Sequence, residues 1–191
     1  DKMDPATIYI EPANLDNIRV QTAGSGFMSG SANGGTINVK MAEPEFWSQQ
    51  KINGRISSGF QSAAKSLYES AKINFSAGKW ALLATGTYRN SSAYRSGGGE
   101  TIPFSQYEKI NYSLSAKYRY NKHTDIKMDL LADDGWNIGY PALTMDVGYA
   151  AAKIASMGIR YEDASKKIYG WQAKVYTNHI KHFMDDTHRP N

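Results

Sequence analysis

The segment NHIKHFMDDTH, residues 178–188, gathers the side chains best suited to chemistry. His182 and Met184 stand two apart, so in an extended strand they project from one face. Imidazole beside thioether is a soft ligand pair, suited to copper and ill suited to magnesium or calcium. Asp185, Asp186 and His188 would instead permit a harder site for zinc. His179 has the opposite parity and is expected on the other face. A half-buried histidine beside a packing methionine remains the plain alternative. The chain contains no cysteine, which removes thiolate ligands and disulfides within these residues.

Other chemistry is poorly supported. No Ser-His-Asp spacing stands out. Asp133-Asp134 and Asp185-Asp186 are adjacent acids whose side chains would point to opposite faces of a strand. An enzyme is therefore not expected. The 22 Lys and Arg are scattered among 18 Asp and Glu, net charge +4, without a basic block, and nucleic acid is not indicated as a partner. The glycines of GSGFMSGSANGG, residues 24–35, invite comparison with a phosphate cradle, but such a loop opens a helix. Here the alternating run TINVKM follows and Pro44 ends it. Asn33-Gly34 fits a tight hairpin turn.

The surrounding elements read as strands. KINYSLSAKYRYN, residues 109–121, alternates strictly. Ile110, Tyr112, Leu114, Ala116, Tyr118 and Tyr120 share one face, while Asn111, Ser113, Ser115, Lys117, Arg119 and Asn121 share the other. Similar alternation marks residues 67–77 and 80–90, it is weaker at 51–62, and 124–136, 153–163 and 166–180 are further candidates, for about seven strands and no convincing helix. The connections near residue 78, at 121–125 and at 163–166 are expected to be short. Those at 91–108 and 137–152 are expected to be long, and only the first, at 63–66, breaks the pattern. Long antiparallel strands with unequal loops at their two ends, and a polar face rich in Lys, Arg, Asn and Ser, suit a transmembrane β-barrel with a wet lumen. This also accounts for 13 tyrosines in a chain of mean hydropathy −0.55. A half-buried soluble sheet shares the alternation and stays open at this point.

Residues 3–46, MDPATIYIEPANLDNIRV through GGTINVKMAEPEF, resemble the last third of the plug domain of TonB-dependent outer-membrane receptors. Gly34-Gly35-Thr36-Ile37-Asn38-Val39 carries the resemblance most closely, whereas Thr22-Ala23-Gly24 replaces the family's Arg-Gly-Pro. The resemblance implies an all-β fold, with residues 1–46 as the end of the plug and residues 47–191 as the first strands of a barrel. About 22 strands would complete it, so the chain, which begins at Asp1 without a methionine, is expected to be a piece of a longer protein. It implies a bacterial outer-membrane location, contact with lipid and lipopolysaccharide, and an inner-membrane TonB complex as energy source.

Within that family, MDPATIYIEP together with Tyr-x-Asn-x-Ile-x-His-x-Met-Asp is similar to the copper receptors of the OprC and NosA type. The similarity implies Met3, His182 and Met184 as ligands of a copper ion carried as cargo, with the family's plug cysteine expected upstream of Asp1. Met28 and Met145 would extend a thioether track. Met41, Met128 and Met157 read as packing residues. A receptor for an iron siderophore or oligosaccharide, using Tyr94, Tyr107, Asn137 and Tyr140, is the nearest alternative. A β-rich surface adhesin is the alternative of another class.

Overall fold

The computed structural model describes residues 9–22, 35–187 and 189. Contacts divide the chain into two compact units, Asp1–Glu43 and Pro44–Asn191. In the first, Leu15–Thr22 (β1) and Gly35–Met41 (β2) form an antiparallel pair running from Leu15↔Met41 to Thr22↔Gly35, with a bulge between Leu15 and Asn17. A 3-10 turn, Pro12–Asn14, leads into β1, and the Glu11 carboxylate accepts from the Ala13 N–H at 3.4 Å. Gly35 sits at φ 113°, where a Cβ would lie 2.3 Å from the Gln21 carbonyl oxygen. Only glycine fits there.

The second unit is an antiparallel meander. Its seven strands are Lys51–Gln61 (β3), Ser66–Ala77 (β4), Trp80–Ser91 (β5), Tyr107–Asn121 (β6), Thr124–Ile138 (β7), Asp146–Glu162 (β8) and Gly170–Asp185 (β9). Each pairs with its neighbours in sequence order. Strands of up to 17 residues exceed the five or six usual in globular sheets.

The two faces are inverted relative to a soluble sheet. Ile56 is 86% exposed, Val175 71% and Tyr112 49%, while Asn111 is 1% and Asp133 3% exposed. The tyrosine-bearing face of β6 is thus the open one, as its alternation predicts for a lipid-facing wall. The closed face is a polar lattice. Asn111 Nδ2 donates to Asp133 Oδ2 at 2.7 Å, and Lys109 Nζ lies 3.1 Å from the same carboxylate. Ser115 and Ser156 donate to the two oxygens of Asp129 at 2.6 and 3.2 Å, and Thr85 meets Ser113 at 2.7 Å. Burial without partners would be costly for these groups; paired, they close the face.

The extended segment Pro44–Gln50 lies on that same polar face. Its Glu45 and Trp47 N–H groups donate to Asn74 Oδ1 and Ser76 Oγ, both at 3.1 Å. Asn74 returns a bond to the Glu45 carbonyl at 3.3 Å, and the Arg119 guanidinium stacks over Phe46 at 4.0 Å. A segment lying on the polar side identifies that side as the interior.

Aromatic rings gather at both ends of the open face. Trp80 and Tyr118 are 4.7 Å apart between centroids, and Tyr161 and Trp171 6.2 Å, at one end. Trp136 and Tyr149 are 6.1 Å apart at the other. From Tyr149 to Tyr161 is about 40 Å along the strand, or about 30 Å along the axis of a barrel with tilted strands, close to the apolar band of an outer-membrane wall.

Two connections depart from expectation. β8 begins at Asp146, seven residues before the expected start, so the connection 139–145 is shorter than predicted. A bulge between Val147 and Tyr149 breaks the alternation that would have revealed this strand. Conversely, the turn Asp163–Tyr169 is longer than expected, because β9 starts at Gly170. Asp163 organises it, accepting from the Ser165 N–H at 3.0 Å and Oγ at 2.6 Å, while its own N–H reaches the Tyr169 carbonyl at 2.7 Å. The difference between the two ends therefore rests mainly on the loop 92–106.

Candidate functional site

The C-terminal part of β9 runs beside the start of β8. His182 stands opposite Ala150, Met184 opposite Val147 and Asp185 opposite Asp146. His182 and Met184 are both half-buried and share parity with Gln172, Lys174, Tyr176 and Asn178. Ala150 and Ala152 on β8 are small and buried. Further along the same face, Ile154 stands opposite Asn178. Met145 immediately precedes β8, two residues before Val147, the partner of Met184. His179 pairs with Lys153 on the open face, the side its parity predicts. Met3, Met28 and His188 lie outside the described residues.

A knot of loops encloses this corner. Arg189 Nε donates to Asp146 Oδ2 at 2.9 Å, and its Nη2 reaches Asp146 Oδ1 and the Tyr140 carbonyl, the latter at 2.9 Å. The same Nη2 lies 3.4 Å from the Met145 carbonyl, and the guanidinium stacks on Phe104 at 3.8 Å. Gly139 donates to the Gln106 carbonyl at 2.9 Å and packs so closely on Phe104 that a Cβ would meet its backbone at 2.5 Å. Three separate stretches, 102–106, 139–145 and the residues after β9, are thereby tied at one rim. Sequence reasoning misses Arg189 and Phe104, since neither belongs to an alternating run or a ligand spacing.

The adjacent acids behave as strand geometry requires. Asp133 faces the polar lattice, whereas Asp134 on the open face accepts from the Tyr149 hydroxyl at 2.8 Å. Among the described residues, no group of three or more His, Asp or Glu is placed to hold a metal ion. Asp185 ends β9 and Asp186 follows it outside the strand. At the opposite rim, His123 Nε2 lies 3.6 Å from Asp163 Oδ2. Hydrogen bonds from the Ser165 hydroxyl and backbone, aided by the nearby imidazole, hold the Asp163 carboxyl below the ordinary carboxylate range.

No protein-family profile matches the sequence, and no curated protein matches it. Solved structures do. The chain is similar to the copper transporter OprC, with a TM-score of 0.87 and 24% identity, over 97% of this chain and 28% of that one. It is also similar to the FrpB iron transporter from Neisseria meningitidis in its apoprotein form, with a TM-score of 0.71 and 18% identity, over 90% of this chain and 28% of that one. The chain thus spans less than a third of either transporter's length. Over this span it has the fold of a TonB-dependent outer-membrane transporter.

Proposed function

We propose that the chain is the end of the plug and the first wall strands of a TonB-dependent receptor of the bacterial outer membrane, and that its cargo is copper. The inverted sheet carries this reading: apolar rows face outward along strands long enough to cross a bilayer, and polar rows face the linker-bearing side. The edges of β3 and β9 present unpaired backbone groups, which lipid does not tolerate, so the wall continues into further strands of the whole receptor. The exposed Ile18, Val20 and Ile37 of the first unit fit a hairpin taken from a larger plug.

Copper is supported by the soft pair His182 and Met184, on one face at the loop-rich rim, and by likeness to a copper transporter. Met3, Met28 and Met145 are the further thioethers assigned to the ion by this reading. The receptor performs no covalent chemistry. It binds the ion at the outer rim, and a TonB complex of the inner membrane supplies the energy that remodels the plug. Calorimetry on the complete receptor with Cu(I), Cu(II), Zn(II) and an iron chelate tests the cargo. Replacing His182 and Met184 together by alanine is expected to weaken Cu(I) binding by roughly a hundredfold or more. Unchanged affinity would remove the ion from these residues, and binding of the iron chelate alone would favour the iron alternative.

A further inference from the structure

The short run that joins the two units is fastened to the second by contacts shaped for it. Ala42 still belongs to the first unit, where its N–H donates to the Asn14 carbonyl at 2.8 Å. Three residues later, Glu45 is bonded to the wall. The N–H donors of Glu45 and Trp47 stand two residues apart, about 7 Å in extended chain, and so do their acceptors Asn74 and Ser76 on β4. Side chains on one face of β4 thus take the part that a neighbouring strand's carbonyls play in a sheet. Asn74 completes the pairing by donating back to the Glu45 carbonyl.

The seat spans three strands. In the rows Ser76–Ala81–Lys117 and Asn74–Leu83–Ser115, β5 adds an apolar pair to the polar face. Ala81 is 0% exposed and Leu83 3%. On β6, the Arg119 guanidinium lies over the Phe46 ring and Lys117 Nζ is 6.0 Å from its centroid, each cation 3.8 Å from Asp125. Bonded to β4 and stacked on β6, the segment passes over β5 between them. Lys51, where β3 begins, sets its ammonium 4.8 Å from the Trp47 ring centroid at the other end. A pull along the chain loads the two backbone bonds and the ring stack together, so none peels away alone.

We propose that residues 44–50 are a fixed anchor: when a TonB complex remodels the plug, the moving chain ends at residue 43 and the anchor stays seated on β4, β5 and β6. Pro44, with its φ held by the ring, marks the boundary between the moving and the seated chain. This inference rests on the reading that a TonB complex remodels the plug.

Cysteine labelling in living cells tests it, using the complete receptor, supplied copper, and a TonB complex either working or disabled. T36C on β2 reports the plug. S76C reports the anchor, because Ser76 is fully buried where the segment is bonded to it. Reaction with N-ethylmaleimide is read by mass spectrometry of the peptide that carries each cysteine. T36C is expected to react faster when the TonB complex works, and S76C to stay equally unreactive in both cells. Adding F46A and N74A to S76C should raise its reaction roughly tenfold or more in the energised cells, while F46Y, which keeps the ring, should leave it unchanged. Heat-modifiable migration confirms that each variant still forms a barrel. Energised labelling of S76C with the anchor intact, or no gain in the folded F46A/N74A variant, would overturn the anchor alone. Indifference of T36C to the TonB complex would overturn the anchor together with the proposed function.

Discussion

At the scale of single residues, position within the pleat decides what each polar group does. Asp133 and Asp134 are neighbours in sequence, yet one completes the interior lattice through Lys109 and Asn111 while the other takes a tyrosine hydroxyl on the open face. Asp163 lies beyond the end of β8, and its role is to fold a turn. Its carboxyl is held low by the bonds from Ser165, so it favours the folded turn whenever it is ionised. A depressed carboxyl contributes stability above its unfolded value, near 4, and loses it as pH falls through the folded value. Amide exchange of residues 163–169 should therefore keep its protection from neutral pH to about pH 5 and lose it in stronger acid. In Asp163→Ala the protection should be low throughout and insensitive to acid. An acid-dependent loss that persists in the variant would place its origin elsewhere.

At the scale of elements, the strands legible in the sequence are those whose alternation is uninterrupted. β6 is the clearest: tyrosines and leucine on one parity and serines, asparagines and cations on the other leave no doubt about register. The start of β8 is illegible because DVGYAAA offers small side chains of little contrast, and the bulge near Gly148 shifts parity midway. His182 and Met184 are readable as a pair because their spacing matches the pleat. Arg189 is not, since its hydrogen-bond partners come from 43 to 49 residues away, Phe104 from farther still, and only the fold brings them together. This guanidinium adds to the Gly139–Gln106 bond in tying the two loops together. Arg189→Ala should loosen the segments 102–106 and 139–145 by about 1–3 kcal/mol of local opening free energy, read as faster amide exchange at both. Acceleration confined to the residues after β9 would show that the knot does not hold the loops.

At the scale of the whole molecule, one physical asymmetry organises everything described: rows of Ile, Leu, Val and Tyr stand open on one side of a long meander, and a hydrogen-bonded polar lattice with the Pro44–Gln50 segment lies on the other. In water the first side would be a large exposed apolar patch; against acyl chains it is the expected surface. The two aromatic bands at the strand ends fit the depth of that surface. The proposed metal corner depends on this asymmetry, since His182 and Met184 lie on the polar side of the wall. Its most direct test is a spin-label scan along β6 in the complete receptor reconstituted in lipid, with single cysteines at residues 111 to 118. Labels at Tyr112, Leu114, Ala116 and Tyr118 should be relaxed mainly by oxygen dissolved in the bilayer. Labels at Asn111, Ser113, Ser115 and Lys117 should respond mainly to a water-soluble nickel chelate or be shielded from both. Uniform access along the strand, or nickel access at the tyrosine parity, would contradict the account.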